Sequence, residues 1–123
     1  MKVLLVDDCL EARRLYREFL KMFGHEVTLA ENAFEALKLM DTSEAGWDVL
    51  ISDFNMPKMN GIELIETVFE RHFKFQRIIL FSGTLSTDPS LKSLECRCAH
   101  DPRFCFVNKD EGVERLNALM TAA

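Results

Sequence analysis

Asp48-Val49-Leu50-Ile51-Ser52-Asp53-Phe54-Asn55-Met56-Pro57-Lys58-Met59-Asn60-Gly61 is the stretch that decides the fold. It is a short apolar run that ends on a carboxylate, followed by a turn carrying Pro57 and Gly61 and then by a helical pattern. Four to eight apolar residues bounded by turn signals read as a buried strand. Asp53 therefore stands where a strand stops and a loop opens, and in an open parallel sheet that is the end at which ligands bind.

The same grammar repeats on both sides of this stretch. Val3 to Val6 is an apolar run closed by Asp7, Asp8 and Cys9. Ala12, Leu15, Tyr16, Phe19, Leu20 and Phe23 then follow the three-four spacing of an amphipathic helix, which Gly24 ends. Glu26 to Ala30 reads as a second strand. Asn32, with Glu35 three residues on, reads as the cap of a second helix whose stripe is Ala33, Ala36, Leu37 and Met40. After Gly61, Leu64, Ile65, Val68 and Phe69 mark a third helix, and Ile78 to Phe81 is a fourth strand closed by Ser82-Gly83. Asp88-Pro89 opens a fourth helix. Phe104 to Val107 is the fifth strand, and Val113, Leu116 and Met120 line the fifth helix.

Strands that are continuous apolar runs are strands covered on both faces. Strict strand-helix alternation of this kind predicts an α/β fold: a flavodoxin-like, doubly wound, five-stranded parallel sheet of order 2-1-3-4-5 with five helices.

Composition agrees. A chain of 123 residues, 48% hydrophobic and 28% charged, is expected to form one domain over 1–123 with a core of its own. A formal net charge of −5 argues against a nucleic-acid surface. The apolar N-terminal run is too short for a signal segment, and nothing approaches a membrane span, so a cytoplasmic protein is expected. In that compartment the four cysteines are expected to be free thiols. Cys96, Cys98, His100 and Cys105 have close spacing, but Cys-x-Cys is not the usual zinc spacing and Cys105 falls inside a strand, so a metal role is not favoured. His25 and His72 read as solvated turn residues.

The conspicuous polar residues follow strand ends: Asp7 and Asp8, Asp53, Ser82 and Lys109. In the expected strand order they converge on one pocket. Asp7 and Asp8 also suit the cap of the first helix. Three carboxylates in one pocket need a counter-charge. A hard divalent cation such as Mg²⁺ supplies it, Lys109 adds a fixed positive group and Ser82 a hydroxyl. This set suits a phosphoryl group, and a carboxylate can accept one as an acyl phosphate, which makes Asp53 the candidate acceptor.

With these residues in place, the whole chain resembles the receiver domains of bacterial two-component response regulators. The resemblance rests on Asp7-Asp8, on Asp53 with Met56-Pro57 and Gly61 behind it, on Ser82-Gly83 and on Lys109. Gly24-His25-Glu26-Val27 and Asn32-Ala33-Phe34-Glu35-Ala36-Leu37 add to it. It implies that Asp53 is the phosphoacceptor for a histidine kinase or histidine phosphotransfer protein. It implies Asp8, Asp53 and the main-chain carbonyl of Asn55 as Mg²⁺ ligands, with Asp7 acting through water. Ser82 and Lys109 hold phosphoryl oxygens, and Ser82 with Phe106 forms the switch, although Phe106 lacks a tyrosine's hydroxyl and also suits plain core. Phosphorylation would change the face built by the fourth helix, fifth strand and fifth helix, which selects a downstream output protein. The implied molecule is a stand-alone receiver without an output domain, or a receiver cut from a longer chain, and a monomer or a phosphorylation-dependent dimer. It would be no enzyme beyond self-phosphorylation and autodephosphorylation. Asn55 and Thr84 are expected to tune the lifetime of the phosphoryl group.

The alternative is a small haloacid-dehalogenase-like phosphatase, which wants an aspartate two residues after the nucleophile; Asn55 stands there. A flavin site is disfavoured because Asp7-Asp8 would repel phosphate.

Two departures from the family stand out. The chain between Ser82 and Lys109 is long, which predicts a mobile surface loop near Cys98 to Pro102 that borders the output face and makes Ser86 to Arg103 the most individual segment. Lys109 is followed by Asp110 where the family has proline, so the bond should be trans. Asp110, or Asn108 with Glu111, should cap the last helix while Lys109 still reaches Asp53.

Overall fold

The computed structural model describes residues 1–83, 89, 92 and 101–121. Its sheet has five parallel strands in the order β2-β1-β3-β4-β5. They are β1 (Lys2–Val6), β2 (Glu26–Ala30), β3 (Val49–Ser52), β4 (Arg77–Ser82) and β5 (Phe104–Asn108). Helices α1 (Leu10–Met22), α2 (Ala33–Thr42) and α3 (Gly61–Glu70) cross between them, and a C-terminal helix spans Gly112–Thr121. The order is the expected one. β4 and β5 each run slightly further than their apolar runs. Pro89 and Lys92 are helical and exposed. The rest of the expected fourth helix, with Asp88, Thr84, Cys96, Cys98 and His100, lies outside the described residues.

Alternation along each strand splits the core in two. Leu4, Val6, Leu50, Ile78 and Leu80 pack on the side of α2 and α3. Val3, Leu5, Val49, Ile51, Ile79, Phe81 and Val107 pack with Leu20, Leu116 and Met120 on the side of α1 and the C-terminal helix. β1 and β3, inside the sheet, are buried almost throughout, whereas in β5, at its edge, only Val107 is. Cys105 is accordingly half-buried rather than core, and both it and Cys9 are free thiols.

The face that α1 turns inward keeps Ala12, Tyr16, Phe19 and Leu20 of the expected stripe but is rotated away from Leu15 and Phe23 toward Arg13. Arg13 and Leu20 are buried with Tyr16 packed beside them, while Leu15 is 52% and Phe23 41% exposed. Apolar residues wrap so far around this helix that their spacing alone does not single out the row facing the sheet.

His25 is a second correction. It is buried, with Nδ1 3.1 Å from the Met1 nitrogen and Nε2 2.7 Å from Asn117 Oδ1. The turn before β2 lies against the C-terminal helix, a contact that no local pattern reveals. His72 is exposed, as expected.

Helix ends follow side-chain chemistry. Asn32 Oδ1 accepts the Glu35 N–H at 2.8 Å. Asn60 and Glu63 form a reciprocal capping box at the start of α3, which the sequence reading passed over. Asn108 and Glu111 form another, but around a 3₁₀ turn (Lys109–Glu111) that Gly112, at φ 84°, separates from the C-terminal helix. Asp110 does not cap that helix; its N–H donates to Asn108 Oδ1 at 2.9 Å. Among the described residues no peptide bond is cis, so Lys109-Asp110 is trans.

The long segment before β5 is tied down at its end. Arg103 Nη2 lies 2.8 Å from Asp101 Oδ2, its guanidinium stacks over Phe69 at 5.2 Å, and its carbonyl accepts the Ile78 N–H at 2.8 Å. The Asp101 carboxyl is held below the usual carboxylate range by these Arg103 hydrogen bonds. Of the loop expected over Cys98 to Pro102, Asp101 and Pro102 are among the described residues, and Asp101 is bonded to Arg103.

Candidate functional site

β1 and β3 are adjacent in the sheet, so the residues that follow them meet at its C-terminal edge. The Asp7 N–H donates to Ala30 O at 3.2 Å, and the Asp53 N–H donates to Val6 O at 2.9 Å. These bonds extend the ladder one residue past each strand and set both backbones. Carboxylate oxygens of Asp7, Asp8 and Asp53 all lie within 4.8 Å of one another. Asp7 is buried, Asp53 half-buried and Asp8 exposed.

Lys109 enters from the end of β5. Its Nζ lies 3.3 Å from Asp7 Oδ2 and 3.4 Å from Asp53 Oδ1. Its path is walled by aromatic rings: Nζ is 5.5 Å from the Tyr16 ring centre and 5.9 Å from that of Phe81. Those rings meet edge to face at 5.0 Å. The trans path after Lys109 thus still delivers the ammonium to Asp53.

The loop after β3 is pinned from below. Phe54 and Met56 bury their side chains in the core under α2 and α3, which leaves Asn55 and Lys58 exposed. The Phe54 N–H donates to Asp53 Oδ1 at 2.9 Å, and Ser52 Oγ donates to Asp53 O at 2.9 Å. Gly61 closes the loop, its N–H donating to Phe54 O at 2.9 Å. A Cβ at Gly61 would run into the Asp53 carbonyl, so this close approach requires glycine.

Ser82 ends β4 in register with Asn108 and is buried. Phe106 pairs with Leu80 and packs, half-buried, on the α2 and α3 side of the core.

The electrostatics follow from burial and crowding. Burial pushes the Asp53 carboxyl above its usual range and Asp7 pushes it further, while Lys109 and the Phe54 N–H pull it back. Burial alone would lower the Lys109 ammonium, but Asp53 and Asp7 outweigh it and raise it. Lys109 is therefore fully charged near neutral pH, one cation against three carboxylates. The remaining negative charge and the all-oxygen donor set fit a hard dication. Asp8 and Asp53 would hold such an ion directly, with Asp7 close enough to act through a water.

Of the residues singled out in the sequence, Asp7, Asp8, Asp53 and Lys109 are brought together, while Ser82 is placed at the end of the neighbouring strand. Sequence reasoning missed Arg13, whose Nη1 donates to Asp7 O at 2.7 Å, and the Tyr16–Phe81 wall. Arg13, Tyr16 and Leu20 lie at i, i+3 and i+7, and a charged residue in that row was the available signal.

A family model described as the response regulator receiver domain matches residues 3–120. The chain is 40% identical over 84 residues to chemotaxis protein CheY1 of Helicobacter pylori, 67% of each chain. It spans 62% of a Campylobacter jejuni CheY homologue. Among solved structures it is similar to Vibrio cholerae CheY4, with TM-score 0.75 and 30% identity over 94% of this chain and 92% of that one. Thermotoga maritima TrrA, solved in complex with Mg²⁺-BeF, gives TM-score 0.72 and 30% identity over 96% and 97%.

Proposed function

The chain belongs to the response regulator receiver domain family, and from that premise we propose that Asp53 is its phosphoacceptor. The family assignment does not favour the phosphatase alternative. The observation that carries the reading is the Lys109 ammonium bridging Asp7 and Asp53 inside a cluster of three carboxylates.

In the transfer, an Asp53 carboxylate oxygen bonds to phosphorus as the phosphorus–nitrogen bond of a donor phosphohistidine breaks, and the imidazole leaves with the bond's electrons and then takes a proton. Lys109 is already aimed at the acceptor oxygen, so it can follow charge onto the phosphoryl oxygens without a long rearrangement. Burial of Asp53 strengthens that interaction. Asp8, Asp53 and the Asn55 carbonyl would hold Mg²⁺ directly, and Asp7 through water. When bound, the ion supplies neutralisation of charge on the transferring oxygens. Ser82, one strand from β3, would donate to the phosphoryl group and, with Phe106, bias the face around β5 toward an output partner.

The domain acts on its own side chain: it takes up and loses a phosphoryl group without turning over a separate substrate. A histidine kinase or phosphotransfer protein is its input, and a downstream protein its output. The net charge of −5 favours a protein partner over nucleic acid. No helix among the described residues is long and apolar enough to cross a membrane, and a cytoplasmic site of action follows from the kinase partner.

Intact mass after incubation with Mg²⁺ and a small acyl phosphate tests the reading. One phosphoryl group is expected, dependent on the cation. An Asp53→Asn chain that still gains the group refutes it.

A further inference from the structure

Arg13 is the buried charged residue of α1, 9% exposed. Its main-chain N–H donates to Cys9 O at 2.9 Å as the helix begins. Its guanidinium doubles back to donate to the Asp7 carbonyl at 2.7 Å, a buried contact. That carbonyl lies just past the last residue of β1. The adjoining N–H still pairs with Ala30 across to β2. Arg13 thus takes over where the strand ladder stops.

The consequence falls on Asp8. The Asp7 carbonyl and the Asp8 N–H share one rigid peptide plane. Asp7 has further anchors, since its Oδ1 accepts the Cys9 N–H at 2.9 Å and its Oδ2 faces Lys109. Asp8 is exposed, and among the described residues no hydrogen bond or ion pair holds its side chain. The backbone therefore fixes the Cα–Cβ bond from which its carboxylate reaches out.

We infer that Arg13 is a positioning residue for the cation-binding half of the site: its guanidinium fixes the Asp7-Asp8 peptide and so places the Asp8 Cβ from which the carboxylate reaches the ion. The inference rests on the Mg²⁺ reading proposed above. Two effects of Arg13 oppose each other. Its charge repels a nearby dication, so loss of charge alone would tighten Mg²⁺ binding. Its hydrogen bond holds a ligand in place, so loss of position weakens binding. The fixed geometry makes position the larger effect, because an outer partner of a metal ligand typically governs affinity by about tenfold or more.

The experiment titrates Mg²⁺ calorimetrically into the full chain and into Arg13→Met, Arg13→Lys and Arg14→Gln, with thermal melts to verify folding. Arg13→Met should weaken Mg²⁺ binding about tenfold. Arg13→Lys keeps the charge but not the planar reach and should weaken it less. The exposed Arg14→Gln should leave it unchanged. Phosphoryl uptake at saturating Mg²⁺ should stay near that of the unaltered chain in every variant, a split between affinity and rate that mere structural damage would not give. Unchanged or tighter binding in either folded Arg13 variant overturns the inference. Loss of fold in both would overturn it as well, by showing that Arg13 holds the fold and not the site. An unaltered chain that binds no Mg²⁺ would instead sink the proposed function, and the inference with it.

Discussion

Replacing Gly61 with alanine sets two effects of opposite sign against each other. Gly61 opens α3 outside the left-handed region, so alanine can adopt its backbone and should gain about 0.5–1 kcal/mol through the unfolded chain. Against this, the new Cβ would overlap the Asp53 carbonyl oxygen and stand 2.9 Å from both the Asp53 carbonyl carbon and Leu80 Cδ1. Leu80 can turn its methyl away, but the Asp53 carbonyl is backbone and belongs to the proposed acceptor. The chain must open between Asp53 and α3, at an overpacking cost of about 1–3 kcal/mol. The Gly61–Phe54 hydrogen bond would be strained too, at up to about 0.5–1.5 kcal/mol. The clash outweighs the gain, for a net loss of about 1–3 kcal/mol. Urea melts of the two chains, with the slope checked for equality, measure it. Because the displaced atoms belong to Asp53, phosphoryl uptake should fall as well under conditions where the variant is folded. A Gly61→Ala chain with an unchanged or higher midpoint would refute the reasoning.

Asp53→Asn should stabilise the metal-free chain near neutral pH. The folded Asp53 carboxyl titrates above its unfolded value, so between the two values the folded chain holds a proton that the unfolded chain has released. Stability therefore falls as pH rises through that window, and above it ionised Asp53 remains a constant cost; melts of both chains from acid to neutral pH should converge at the acid end. His25→Ala should cost about 1–3 kcal/mol, because it removes the two part-buried hydrogen bonds that buried His25 makes to the Met1 nitrogen and to Asn117, at about 0.5–1.5 kcal/mol each; a denaturant midpoint like that of the unaltered chain would count against this. Lys58 sits at φ 69°, a conformation that disfavours a side chain, so Lys58→Gly should gain about 0.5–1 kcal/mol in the same melts.

The fold was legible because its interior strands are runs of Val, Leu and Ile with carboxylates at their ends. Such runs have few other uses, and the turn residues between them mark the crossovers. Asp53, Asp8 and Lys109 were legible for the same reason, since the strand-end rule needs only local sequence and an order of strands. What escaped were contacts made by side chains across the core. His25 looked like a turn residue because its partners are at Met1 and Asn117. Arg13 drew no reading because its acceptor is a main-chain carbonyl, which leaves no mark in the sequence. Asp110 looked like a helix cap because Gly112 gives no sign, in sequence, of the break it makes between the 3₁₀ turn and the helix.

Lys109 and Asp7 meet across 102 positions of chain, and this sets a timetable for synthesis. At about 5–20 residues per second, a ribosome delivers Asp7, Asp8 and Asp53 several seconds before Lys109. In that interval the three acids lack their cation, and the edge of β4 that β5 will cover is open. Like charges then hold the acidic turns apart instead of together. The long-range pairing that draws the last strand onto the sheet is also the slow part of such a topology. A half-made chain therefore lacks the assembled acidic cluster, which is complete only once translation has run past β5.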